Sequence, residues 1–154
     1  MQQVIVYKRS ITADWKLAEI DANRWFKNNG LDSIYMDLIH KNNRGFDLLV
    51  EEKYRINVKY ANHTKRSENE FLFKTNKKKH GVKTTDFYLF MFKDLHESSN
   101  TYKYRAYLVP YEKIAFSNTI TLTKTRLAKW EQYKLTKNNL KNLGIHEVKT
   151  EQVA

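Results

Sequence analysis

Residues 44–61 read RGFDLLVEEKYRINVKYA, and the folding of this stretch organises the rest of the chain. Two short apolar runs, 46–50 and 55–61, flank a charged tip at 51–54, the pattern of a β-hairpin. Side chains in a strand alternate faces with a period of two. Phe46, Leu48 and Val50 therefore share one side of the first strand, and Asp47 shares the other with Leu49. In the second strand Ile56, Val58 and Tyr60 point one way, while Asn57 and Lys59 point the other. Once paired, the two strands project an acid, an amide and an ammonium from one sheet face. Charged groups in the middle of buried strands need partners, because losing hydration is costly. One reading is an exposed sheet face or an Asp–Lys structural pair. The other is a site for chemistry on a phosphodiester.

The bulk properties narrow the choice. At 154 residues the chain is expected to form one domain, residues 1–154, long enough to bury a real core. Its 41% apolar and 14% aromatic content argues against disorder. No run approaches the roughly 20 apolar residues that cross a bilayer, and the first residues lack a signal-peptide pattern. With no Cys there is no thiolate metal site and no disulfide framework, so a cytoplasmic protein is expected. Lys and Arg number 28 against 17 Asp and Glu, a net charge of +11. That excess favours a polyanionic partner, nucleic acid first, and nothing resembles the basic amphipathic helix of a membrane-surface protein.

Upstream of the hairpin, residues 13–28 carry Trp15, Ala18, Ala22, Trp25 and Phe26 at helical spacing, with Gly30 as a stop. Ser10 and Thr12 are candidate N-caps. Glu19 interrupts this apolar stripe: it either reaches solvent beside Lys16 or Asn23, or points inward toward Asp47. Residues 31–39 (LDSIYMDLI) read as the first core strand, with Ile34, Met36 and Leu38 on one face. Downstream, 70–75 alternates like a strand, and 85–92 (TDFYLFMF) is nearly all apolar, as a central strand is. Residues 102–109 alternate again, ending at Pro110, with Tyr102, Tyr104 and Tyr107 expected to pack in the sheet. A short edge strand at 118–123 and helices at 125–134 and 137–143 complete the order. This order predicts an α/β fold, a central mixed sheet flanked by helices.

GFDLLV followed by INVKYA resembles the core of the PD-(D/E)xK nuclease superfamily, which includes restriction endonucleases and Holliday-junction resolvases. The resemblance spans about Trp15 to Pro110 and implies a restriction-endonuclease-like fold. In that family an Asp opens the motif, and an acidic residue usually stands two places before a Lys on the next strand. Asp47 and Lys59 fill the outer places; Asn57 stands where the family most often has a carboxylate, and Phe46 replaces the usual Pro. Glu19 matches a Glu that many members carry on the preceding helix.

The resemblance implies a Mg²⁺-dependent (or Mn²⁺-dependent) DNA endonuclease, of restriction, homing or resolvase type, acting on duplex or branched DNA as a homodimer. Glu19, Asp47, Asn57 and the backbone oxygen of Val58 would hold the metal, with Lys59 beside the attacking water. His63, Lys65 and Arg66 after the second strand, and Lys77, Lys78, Lys79 and Lys83 in the next basic turn, are candidates for phosphate contacts. Two rivals remain: a catalytically inactive nucleic-acid-binding protein with the same fold, and an interaction or inhibitor protein whose basic face meets an acidic partner.

Overall fold

The computed structural model describes residues 5–8, 14–38, 45–62, 70–77, 83–93 and 101–145. In chain order the strands are β1 (Ile5–Lys8), β2 (Ser33–Tyr35), β3 (Leu48–Val50), β4 (Tyr54–Ala61), β5 (Phe71–Lys74), β6 (Phe87–Lys93), β7 (Thr101–Pro110) and β8 (Thr119–Leu122). The helices are α1 (Asp14–Asn28), α2 (Lys124–Ala128) and α3 (Lys137–Asn142). Six strands form a central mixed sheet in the order β1-β7-β6-β4-β3-β2. All its pairings are antiparallel except β4 with β6. Strands β5 and β8 stand apart as a two-stranded antiparallel ribbon. Among the described residues no helix is long and apolar enough to cross a membrane.

The sheet separates two cores. On one face, Leu48, Val50, Ile56, Val58, Leu89, Met91, Ala106 and Leu108 meet Leu17, Ala18, Ala22 and Phe26 of α1. Ala18 and Ala22 are fully buried, and their small side chains let the helix sit close to the strands. Phe26, also fully buried, contributes about 2–3 kcal/mol by leaving water. On the other face Phe90, Phe92, Tyr107 and Val109 pack under the ribbon residues Phe71, Phe73, Ile120 and Leu122. Strand β6 is central and buried on both faces, which is why its sequence shows no alternation. Tyr104 and Tyr107 pack as expected, each 1% exposed.

Several expectations need correction. Trp15, placed in the buried stripe of α1, is 56% exposed; Leu17 and Asp21 take that side of the helix instead. The strand expected over 31–39 is paired only at Ser33–Tyr35, then winds into a 3-10 turn at Met36–Leu38. Its buried side chains are Ser33 and Tyr35 rather than Ile34, because both reach polar partners on α1: Ser33 donates to Asn23 at 2.6 Å and Tyr35 to Glu19 at 2.7 Å. The helix expected over 125–134 is two pieces, α2 and a 3-10 turn at Glu131–Tyr133. Strand β8 edges the ribbon, not the main sheet. The proposed caps Ser10 and Thr12 lie outside the described residues.

A candidate active site where two strands part

The expected hairpin forms, with Leu48 opposite Ile56 and Val50 opposite Tyr54, so Tyr54 belongs to the second strand and not to the tip. Its tip turns at Glu51 and Glu52, both at φ +54°, closed by the Lys53 N–H on the Val50 carbonyl at 3.1 Å. The pairing of β3 with β4 stops at Ile56, yet β4 runs on to Ala61 against β6. One edge of β4 therefore parts from β3 just at Asn57–Lys59. Asp47 lies immediately before β3, and its carboxylate replaces the missing strand: Oδ2 accepts the Val58 N–H at 2.7 Å. The Asp47 backbone is fixed on both sides, its N–H on the Ile56 carbonyl at 2.8 Å and its carbonyl on the Met36 N–H at 2.9 Å. In a strand the carbonyl leaves on the same edge as the N–H of its own residue. The Val58 oxygen is thereby directed to the edge where Asp47 sits.

Asn57 is anchored by a bond that fixes which way its amide faces. Its Nδ2 donates to the Gly45 carbonyl at 3.2 Å, and a carbonyl can only accept, so Oδ1 is the end turned away. Gly45 has φ +101°, and a Cβ there would lie 2.3 Å from the Thr84 Cβ. Only glycine gives the Asn57 amide this backbone anchor. Lys59 follows two residues later on the same face and is half-buried.

Glu19 arrives from α1. Its Oε1 accepts the Tyr35 hydroxyl at 2.7 Å, which turns the carboxyl off the apolar stripe toward the parted strands. Glu19, Asp47, Asn57, Val58 and Lys59 line one cleft of about 260 Å³, together with Gly45, Phe46, Thr75, Lys77, Thr84, Tyr88 and Tyr111. The four side chains named from the sequence, carried by three separate segments, thus share one cavity.

Electrostatics agree with the geometry. Burial, then the Asp47 charge, pushes the Glu19 carboxyl up to about 7. Burial pushes Asp47 up to about 6, against the opposing pull of the Val58 N–H and Lys59. Lys59 is lowered by burial, and the charges of Asp47 and Glu19 resist that fall. Each group alone would pay for desolvation; together they offset one another. Asp37, in the 3-10 turn after β2, raises both carboxyl groups by its charge. The sequence reading missed it, because a strand through 39 would have carried it elsewhere. Among the described residues no three His, Cys, Asp or Glu side chains form a metal-binding group. The oxygens available to a hard cation are two carboxyls, one amide and one backbone carbonyl.

The expected phosphate contacts divide. His63, Lys65, Arg66, Lys78 and Lys79 lie outside the described residues. Lys77 is 8% exposed, and its ammonium donates to the carbonyls of Tyr111 and Ile114, both at 2.7 Å. Lys83 is exposed and bonds Glu112 at 2.6 Å, with Asp86 at 3.9 Å.

No protein-family model matches the sequence, and no curated protein matches it. Among solved structures, a bacterial homing endonuclease, I-Ssp6803I, superposes with a TM-score of 0.58. The match covers 89% of this chain and 92% of that one, at 14% identity. The architecture is shared with a homing endonuclease. At that identity the likeness is one of fold, and it extends over nearly the whole of both chains.

Proposed function

We propose that the protein is a metal-dependent DNA endonuclease of the PD-(D/E)xK type. The observation that carries this reading is the convergence of Glu19, Asp47, Asn57 and Lys59 on one cleft at the point where β3 leaves β4. The fold likeness to a homing endonuclease supports it, as does the +11 charge.

The donor set fits a hard divalent cation: it is all oxygen, partly anionic, and offered by the carboxyls of Glu19 and Asp47, the Asn57 amide and the Val58 carbonyl. Mg²⁺ or Mn²⁺, when bound, would supply Lewis acidity at the scissile phosphate. The Lys59 ammonium, beside both carboxyls, would orient a water for in-line attack and offset charge on the phosphate oxygens. Glu19 would add its carboxylate to the cation from α1, giving up its proton as the cation binds. Asn57 lowers the charge of the ligand set by one relative to a carboxylate, which weakens cation affinity and favours a one-ion mechanism. A chain of this size would cut both strands of a duplex as a two-fold dimer.

The test is cleavage of linear, supercoiled and branched DNA in Mg²⁺, in Mn²⁺ and in EDTA. Cleavage should require the cation and vanish in Asp47→Ala and Lys59→Ala proteins that still melt cooperatively. Asn57→Asp should preserve or raise activity. Cleavage that survives both alanine variants would remove the site from the reaction. The amide at Asn57 specifically favours a second reading, a DNA-binding protein that has lost cleavage. Cation-independent binding with no cutting of any substrate would select it.

A further inference from the structure

The same cleft extends past Asn57 to groups the proposed reaction leaves unused. Tyr88 on β6 is in register with Asn57 on β4, so the two side chains leave adjacent strands side by side. Its ring is 3% exposed and stacks on Phe90 at 5.8 Å and on Tyr111 at 5.9 Å. A buried phenol hydroxyl ordinarily finds a hydrogen-bond partner. That of Tyr88 has none among the described residues, yet it is not sealed off: the residue lines the cleft. It is a donor held ready for something that enters.

The surroundings say what enters. Lys77 is fixed at this end by its two carbonyl partners, with its ammonium 3.8 Å from the centre of the Tyr111 ring. It cannot swing out to grip a ligand, but its charge makes this end of the cleft attractive to an anion. The stacks on Phe90 and Tyr111 occupy the Tyr88 ring, which argues against a role in stacking on a base. Burial pushes the phenol up to about 12, so at physiological pH it remains an O–H donor and does not repel negative charge.

We infer that the Tyr88 hydroxyl donates a hydrogen bond to a non-bridging oxygen of a nucleic-acid phosphodiester seated in the cleft, with Lys77 behind it. The phosphodiester as ligand class rests on the endonuclease reading; the hydroxyl facing the cleft without a partner among the described residues, and the fixed cation, do not. Tyr88 would touch substrate beside Asn57 without belonging to the four residues of the nuclease motif.

Tyr88→Phe removes one oxygen and keeps both stacks. The probe is a short labelled DNA duplex, bound in EDTA across a series of salt concentrations. The variant should bind about tenfold more weakly, the usual loss for a hydrogen bond to a charged group. The slope of log affinity against log salt should not change, because no charge has been removed. The melting temperature should be unchanged or higher. Equal affinity of the two proteins overturns the inference, whether or not the wild type cuts DNA. So does a weaker affinity that comes with a changed salt slope or a lower melting temperature. Weaker binding by the variant of a protein that cuts nothing in Mg²⁺ keeps the inference and sinks the endonuclease reading. A wild type that binds no DNA sinks both.

Discussion

Among the described residues, three carboxyl groups are pushed well above the usual carboxylate range, and burial is the first cause in each: Glu19 and Asp21 to about 7, Asp47 to about 6. Two face each other and Lys59 across the cleft. Asp21 has no such company. It is fully buried on α1, and neither oxygen meets a partner in hydrogen-bond geometry; only the nearby Tyr104 hydroxyl and Arg24 draw its pKa down. A carboxyl raised in the fold keeps a proton that the unfolded chain releases. Stability should therefore fall as pH rises from about 4 to about 7 and level off above that. Asp21→Asn removes one such group. It should be about 1–3 kcal/mol more stable than the wild type near pH 8 and equal to it near pH 4, measured by urea unfolding. Equal stability at both values would mean that Asp21 is satisfied in solution. The site residues were legible for unequal reasons. Asp47, Asn57 and Lys59 follow from strand alternation across a short hairpin. Glu19 stood out by breaking an apolar stripe. Tyr88 was hidden, because a run of six buried residues gives no sign of which face carries a function.

The hairpin tip is where local sequence and geometry disagree most. Its central residues, Glu51 and Glu52, both adopt φ +54°, a conformation that costs a residue with a Cβ about 1 kcal/mol. Glu51 recovers some of this by accepting the Asp32 N–H at 2.6 Å, whereas Glu52 is exposed. Glu52→Gly should stabilise the protein by about 0.5–1 kcal/mol without altering the cleft, read as a higher denaturation midpoint at constant m-value. A lower midpoint would show that the Glu52 side chain has a role in the fold. The strands with clear alternation or a continuous apolar run were legible from sequence. The failures fell where a polar contact outweighed the apolar pattern. Tyr35 and Ser33 turn inward because Glu19 and Asn23 receive their hydrogen bonds, reversing the parity expected of β2. The break between α2 and the following turn had no proline or glycine to announce it. That β5 and β8 pair with each other, not with the sheet, is a long-range fact outside any local window.

At the scale of the molecule, two faces of one sheet cooperate. The helix side supplies Glu19, the ribbon side receives Asn57 and Lys59, and the end of β3 pairing lets them meet. With 28 basic residues against 17 acidic, binding to duplex DNA should be strongly salt-dependent. Affinity should fall by about 10²-fold or more between about 50 and 200 mM salt. A flat salt response would favour a protein partner. The central claim is that two half-buried carboxyls from different elements form one cation site, and cation-linked proton release measures this most directly. Carboxyls held near 7 and 6 must shed protons to ligate a metal. Calorimetric titration of Mg²⁺ near pH 6.5, in two buffers of different ionisation enthalpy, should give saturable binding with release of about one proton. Glu19→Gln should reduce that release and Asp47→Asn should abolish the binding. Absence of saturable binding in the wild type, or binding that releases no proton, would contradict the account.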